Sequence, residues 1–263
     1  MSQIIVNNVQ KVFKTPGKDV IALKDINLEI KAGEFVCLLG PSGCGKSTLL
    51  NAVAGFALPS AGEISVEGKK ITGPGPERGM VFQEYALFPW MTVAQNIAFG
   101  LQVQKKEKAE IDLTVNQLLD LLHLNDFRDR FPKDLSGGMR QRVAIARVLA
   151  LDSPIMLMDE PFGALDALTR RNLQDELLRI WEKLGKTILF VTHSIEESIY
   201  LADRIVVMTY RPGTVKRDQY VNMPRPRDPA SAEFNELKRE LGRLVMEEQQ
   251  RHANDEMKLA AVD

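Results

Sequence analysis

The sequence predicts an α/β fold with parallel strands in its core and a helical insertion between two of them. Three observations carry that reading. Short β-branched runs alternate with helical patterns along the chain. One apolar run, Phe35 to Leu39, leads into a glycine-rich segment and then a helical run, Thr48 to Ala54. From Val93 to Leu149 the chain turns mainly helical, with apolar repeats at Leu118, Leu121 and Leu122 and again at Val143, Ile145, Val148 and Leu149.

In chain order, Ile4 to Val9, Ala22 to Ile30, Phe35 to Leu39 and Glu63 to Val66 read as the early strands. Turns rich in Gly and Pro separate them, around Gly17, Gly33 and Gly73 to Pro76. Gly79 to Phe82 is a further strand-like run ahead of the insertion. Alternation resumes at Ile155 to Met158, Thr187 to Val191 and Arg204 to Met208, with Leu168 to Leu184 as a crossover helix. Pro224, Pro226 and Pro229 then break regular structure. Ala230 to Glu248 follows as an amphipathic helix, with Phe234, Leu237, Leu241, Leu244 and Val245 on one face. Packing on its own domain is the preferred reading for it, ahead of a regulatory role. The polar stretch from Gln249 is expected to fray. No internal repeat is visible.

Composition narrows the function. Lys and Arg total 34 against 35 Asp and Glu, a formal charge of -1, so the basic excess of a non-specific nucleic-acid binder is missing. A hydrophobic fraction of 44% beside 26% charged residues fits a globular protein with a sizeable core. The longest apolar runs are strand-sized, well short of the roughly 18 to 20 residues of a membrane span. Met1 to Val6 lacks a basic region followed by an apolar one, so no secretory signal is expected. Cys37 and Cys44 are expected to be free thiols, and the cytoplasm is the expected compartment.

The segment Gly40-Pro41-Ser42-Gly43-Cys44-Gly45-Lys46-Ser47 matches the pattern G-x-x-x-x-G-K-[ST] in full, and Thr48 follows it. It lies where that pattern needs to lie, after an apolar strand and before a helix. Glycines let the backbone fold tightly, so that its N–H groups turn inward around phosphate oxygens. The helix adds the positive end of its dipole at the same point. Lys46 would reach the β- and γ-phosphates, and Ser47 would ligate Mg²⁺. Alone, this loop indicates a nucleotide triphosphatase and nothing narrower.

Ligands of parallel α/β sheets bind beyond the carboxyl ends of the strands. Other core strands should therefore also end in residues suited to phosphate chemistry. The apolar run Ile155 to Met158 ends in Asp159-Glu160, an acidic pair that is costly there unless a cation meets it. Asp159 would hold Mg²⁺, and Glu160 would polarise the attacking water as general base. Thr187 to Val191 leads to Thr192-His193, and Gly79 to Phe82 leads to Gln83, which can sense metal and water together. A lone His or Gln after a strand is usually structural or surface; their strength here is joint.

Leu135-Ser136-Gly137-Gly138-Met139-Arg140-Gln141 opens a helix running to about Ala150. Ser136 fits an N-cap, and the paired glycines let an oxygen-rich ligand approach the first backbone N–H groups. One γ-phosphate does not need two such sites from one chain. A head-to-tail pair is the economical solution, with Ser136 to Gly138 of one copy closing over ATP held by the other. An ordinary capped helix is the plain alternative.

Together these residues resemble the nucleotide-binding subunit of an ABC transporter, over about Ile4 to Pro229. The resemblance implies an α/β, P-loop NTPase (RecA-like) core with an antiparallel β subdomain and an inserted helical subdomain at about 84–150. The ATPase domain would span 1–228, and 229–263 would form a terminal helix and tail. It also places the Q-loop at Gln83, the LSGGQ signature at Leu135 to Met139, the Walker B pair at Asp159 and Glu160, and the switch histidine at His193. The D-loop falls at Ala164-Leu165-Asp166, where Asp166 would bridge two subunits. Met139 stands where the family has Gln; little effect is expected, because the serine and glycines carry the phosphate contacts. Phe13 is the candidate for stacking adenine, and it is equally compatible with a core position. ATP and Mg²⁺ are the implied cofactors.

After Gln83 the chain crowds Leu87, Phe88 and Trp90 into a short stretch. Each can be internal packing, while a contiguous exposed remainder would mark an interface. In the family this region receives a cytoplasmic helix of the membrane subunit, so permease subunits would dock near Gln83 to Trp90. Gly73 to Pro76, Phe88 to Trp90, Pro161 to Asp166 and Pro224 to Asp228 resemble ATPases of bacterial importers for nitrate, sulfonates and taurine. The resemblance implies a homodimer, with a heterodimer left open, bound peripherally at the cytoplasmic face of the inner membrane. A periplasmic or extracellular binding protein would deliver the anion, and no nucleic acid is expected as partner. The rival readings are an exporter motor and an ABC-type ATPase acting on nucleic acid or ribosomes. The latter commonly carries tandem ATPase domains or long coiled-coil insertions, which this sequence lacks.

Overall fold

The computed structural model describes residues 2–260, in two units. One runs to Gly75 and resumes at Thr187; the other is Pro76–Lys186. The first holds β1 (Ser2–Thr15), β2 (Lys18–Lys31), β3 (Phe35–Leu39), α1 (Lys46–Ala54), β4 (Ala61–Val66) and β5 (Lys69–Lys70). The second holds β6 (Arg78–Val81), α2 (Val93–Val103), α3 (Lys108–Leu121), α4 (Gly137–Ala150), β7 (Ile155–Asp159) and α5 (Ala167–Leu184). The chain then returns to the first unit with β8 (Thr187–Thr192), α6 (Ile195–Leu201), β9 (Arg204–Met208), β10 (Val215–Tyr220) and α7 (Ala232–Ala260).

Two patterns of burial separate the strands of the first unit. In β1 and β2, buried Ile4, Val6, Ile26, Leu28 and Ile30 alternate with more exposed residues, so one face packs and the other meets solvent. These strands pair antiparallel, β4 adds to β1 and β5 to β4, giving the order β2-β1-β4-β5. Both leading strands outrun the sequence reading, joined by a turn whose Gly17 has φ +91°. By contrast, β3, β8 and β9 are buried at every position. β3 lies parallel between β8 and β9, and β10 pairs antiparallel with β9. Continuous apolar runs are what strands covered on both faces require.

Helix ends follow local chemistry. α1 stops at Gly55, whose left-handed backbone (φ +83°) returns its N–H to Ala52 O and Asn51 O. Thr92 and Gln95 form a reciprocal capping box at the start of α2. α6 has no glycine stop, and two arginines from the proline-rich stretch replace one. Arg227 donates to Ile199 O and Ala202 O, both at 2.6 Å, while Arg225 donates to Leu201 O at 2.5 Å.

One expectation needs correction. α7 continues to Ala260, past the end at Glu248 that the apolar spacing predicts and through the polar stretch expected to fray. Its apolar face is as expected, with Phe234, Leu241 and Val245 buried. The added turns are rich in Glu, Gln, Arg, Ala, Met and Lys, all good or adequate helix formers. Glu248 and His252 also tie them to the loop after β9.

In the second unit β6 and β7 pair parallel, and α2, α3 and α4 fall between them in the chain. α4 packs on α2, α3, α5 and β6, so the helix that opens at Ser136 is the hub of this unit.

Candidate functional site

The phosphate-loop residues leave β3 and enter α1. Gly45 is the N-cap at φ +98°, and no side chain caps the helix. A Cβ there would sit 2.7 Å from Leu23 Cδ2 and 3.0 Å from Ala22 O, so both backbone angle and space demand glycine. Lys46 is only 4% exposed, and its Nζ donates to Gly40 O at 2.8 Å and Pro41 O at 2.9 Å. Two neutral carbonyls are weaker partners for an ammonium than anionic oxygens. An uncapped helix start beside a buried cation is therefore suited to a phosphate group. Ser42, Gly43 and Ser47 are exposed, and Thr48 is half-buried. Burial pushes the Cys44 thiol up, against the pull of Lys46, so it stays protonated. Cys37 and Cys44 are free.

β8 runs beside β3 with Leu39 opposite Thr192, so Gly40 and His193 leave neighbouring strands at one edge. Thr192 Oγ1 donates to Glu197 Oε2 at 2.5 Å and accepts the Ser194 N–H at 3.0 Å. Ser194 caps α6 by accepting the Glu197 N–H. His193 is exposed between these anchored residues. Phe13 lies on β1 opposite Val20, 43% exposed, with Lys11 Nζ 5.3 Å from its ring centre. The core alternative for Phe13 does not fit that exposure.

In the second unit, Val81 of β6 lies opposite Met158 of β7, so Asp159 closes β7 while Glu160 and Gln83 follow adjacent strand ends. Glu160 has a left-handed backbone, φ +43°, which is uncommon for a residue with a side chain. Its carbonyl accepts the Gly163 N–H at 3.1 Å, and Arg170 donates to Phe162 O and Leu165 O at 3.1 and 2.7 Å. These bonds fix the turn from Glu160 to Asp166. Asp166 caps α5, accepting the Thr169 N–H at 3.0 Å, and that bond holds its carboxyl below the usual carboxylate range.

Ser136 caps α4 as expected, its Oγ accepting the Met139 N–H at 3.3 Å. The hydroxyl keeps its own proton to donate. Tyr85, two residues after Gln83, approaches this helix: its hydroxyl would lie 3.3 Å from a Cβ on Gly137, and Arg140 stands over its ring. Arg147 of α4 donates to Ala86 O at 2.6 Å and Tyr85 O at 3.2 Å, holding two left-handed residues in place. Further along, Asn96 accepts the Phe88 N–H and donates to Phe88 O, Met91 O and Thr92 O. Phe88 packs on Phe99 with centroids 4.6 Å apart, whereas Trp90 is 69% exposed. Packing and surface thus divide this segment between them.

Sequence reasoning missed Asn96, Arg147 and Arg170. Each acts on backbone carbonyls of a loop remote in sequence or irregular in shape, and no spacing rule announces that.

The uncapped glycine loop, the polar strand ends and the α/β architecture define a P-loop nucleotide triphosphatase with an antiparallel β subdomain and an inserted helical segment. A family model described as ABC transporter matches residues 23–163. The taurine import ATP-binding protein of Roseobacter denitrificans is 51% identical over 83% of this chain and 82% of its own. The nitrate import ATP-binding protein of Synechocystis sp. is 47% identical over 89% and 88% respectively. A dimeric post-hydrolysis ATP-binding cassette bound to ADP and Pi superposes with a TM-score of 0.74 and 34% identity, covering 84% of this chain and 100% of that one. The chain belongs to the ABC transporter family, and it is an ATP-binding ATPase.

Proposed function

We propose that the chain is the ATP-hydrolysing subunit of a bacterial ABC importer for a small anion such as nitrate, taurine or another sulfonate. The observation that carries this reading is the match to import ATP-binding proteins over more than four-fifths of both chains. Residues 1–228 form the ATPase domain, with its helical subdomain at about 84–150, and 229–263 its terminal appendage. Two copies close around two nucleotides, each phosphate loop meeting Ser136, Gly137 and Gly138 of the other copy. Dimeric cassettes among the solved relatives support that arrangement.

Each residue then has a role. Phe13 stacks the adenine. Gly40 to Thr48 wrap the phosphates with backbone N–H groups, and Lys46 neutralises their charge. Ser47, Gln83 and Asp159 are the residues that would hold Mg²⁺, which would supply charge stabilisation for the phosphate oxygens. Glu160 takes the proton of the attacking water, and the fixed turn after it supports that role. His193 steadies the γ-phosphate, and Asp166 links the two copies. Permease subunits dock at Gln83 to Trp90, a reading that the exposed Trp90 on an anchored segment supports. Among the described residues no helix is long and apolar enough to cross a membrane. The likeness to import ATP-binding proteins supports a peripheral place on the cytoplasmic face. A binding protein on the far side delivers the anion.

The test is copurification with membrane subunits, followed by turnover assays with a binding protein and a panel of small anions. Stimulation by nitrate, taurine or another sulfonate is expected. Recovery of nucleic acid in place of a membrane protein would contradict the reading.

A further inference from the structure

We infer that the loop Tyr210–Gly213 is the outer template of the phosphate loop, with Arg211 as a positioning residue for nucleotide binding, and that α7 holds this template in place. The inference rests on reading 40–48 as the nucleotide site.

Two successive carbonyls of the phosphate loop face this template. Arg211 Nε donates to Gly43 O at 3.4 Å. Tyr210 and Arg211 are also the side chains nearest Gly43, at 3.8 and 3.7 Å from where a Cβ would stand. The next carbonyl, Cys44 O, would lie 2.2 Å from a Cβ on Gly213, so only glycine fits there. Gly213 is itself anchored to β2, donating its N–H to Ala22 O at 2.9 Å and accepting the Lys24 N–H at 3.0 Å.

Peptide geometry turns these contacts into a consequence for the ligand. In a planar trans peptide the C=O and the N–H point in opposite directions. Holding Gly43 O and Cys44 O against the template therefore turns the N–H groups of Cys44 and Gly45 the other way. That is the side on which a phosphate nest must present its donors. The Cys44 N–H does face across the loop, reaching Pro41 O at 3.4 Å.

The template is tied in turn to α7. Glu248 is fully buried, and it accepts the Tyr210 N–H at 2.9 Å and Lys216 Nζ at 2.6 Å. The ring of His252, one turn further, stacks on Tyr210 with centroids 4.1 Å apart and planes 26° from parallel. Contacts thus run from α7 through Tyr210 and Arg211 to Gly43. Any coupling carried along this chain of contacts is reciprocal, so that an α7 that tightens nucleotide is tightened by nucleotide in equal measure.

ADP titrated into the isolated full-length chain tests this without requiring turnover. Arg211→Ala should weaken ADP binding by about five- to tenfold, the net scale of one ordinary hydrogen bond, as its 3.4 Å length suits. Arg211→Lys should recover most of that loss, because an ammonium can also reach the Gly43 carbonyl. In the assembled transporter, KM for ATP should rise by a similar factor in Arg211→Ala while kcat falls by no more than about twofold. His252→Ala should weaken ADP binding by about two- to threefold, the scale of an exposed stacking contact. Lys46→Ala serves as control. If it binds ADP like the wild type, the nucleotide-site reading itself is wrong. If it loses ADP while Arg211→Ala does not, only the template is overturned. Equal losses in Arg211→Ala and Arg211→Lys with lowered melting temperatures would reduce Arg211 to a structural residue and also overturn it. Should Arg211→Ala not fold, Arg211→Gln takes its place, and wild-type ADP affinity in both Arg211→Gln and His252→Ala overturns it.

Discussion

Helices α1 and α4 both have glycine at their starts, Gly45 as the N-cap of α1 and Gly137 as the first residue of α4, yet the two starts are finished differently. At α1 the N-cap is Gly45, which has no side chain to cap the helix, and the ammonium of Lys46 donates to two carbonyls of the loop. α4 is capped by Ser136, whose hydroxyl accepts the Met139 N–H and keeps a proton for an outside acceptor. The first start sets a buried ammonium beside a glycine N-cap, which suits an anion; the second carries its own serine cap, with Ser136 exposed, Gly137 half-buried and Gly138 buried. The difference supports the proposed division in which α1 holds the nucleotide and α4 of a second copy closes over it.

Several substitutions sharpen or break that division. The largest effect is expected from Glu160→Gln, which leaves both helix starts intact. Turnover should fall at least about a hundredfold while ATP still binds and closed dimers accumulate in size-exclusion runs. Unchanged hydrolysis would remove Glu160 as base. Next, Ser136→Arg should abolish turnover by blocking closure, while nucleotide affinity of the isolated chain stays within about twofold of wild type. A matching loss of affinity would put α4 in the holding role and end the comparison. Ser136→Ala should be milder: loss of a cap costs about 1 kcal/mol of stability, seen as a lower denaturation midpoint.

The smallest effect concerns pH. Burial alone would raise the Glu248 carboxyl, but bonds from Lys216 and the Tyr210 N–H more than offset it and hold the carboxyl below its usual value. A carboxyl lowered in the folded state stabilises fully above its unfolded pKa, and that contribution is lost as pH falls through the folded value. Melting curves should therefore lose an α7-dependent increment of a few degrees below about pH 4. Glu248→Gln should melt lower near neutrality and show a shallower acid decline; identical acid profiles would contradict the role given to Glu248.

Much of this was legible in the sequence, for identifiable reasons. The parallel strands announced themselves as continuous apolar runs, and β3 and β9 have the bounds that their patterns suggested. The phosphate loop was legible because its pattern came with its context, a strand before and a helix after. β10 was not, since Val215-Lys216-Arg217-Asp218-Gln219-Tyr220 is a polar edge strand without a clean alternation. α6 was overlooked although Ser194 followed three residues later by Glu197 is a helix-start signature. Arg225 and Arg227 read as part of a proline-rich break, and only the fold shows them capping α6. Tyr210 to Gly213 carried no motif at all, because its partners are carbonyls more than 160 residues away.

The division between holding and closing is tested most directly by ATP turnover of the isolated chain over a wide dilution series. Specific activity should fall in proportion to concentration once the pair dissociates, and added Glu160→Gln subunits should alter it by joining mixed pairs. Full turnover that persists in a strictly monomeric sample would show that one copy completes its own site.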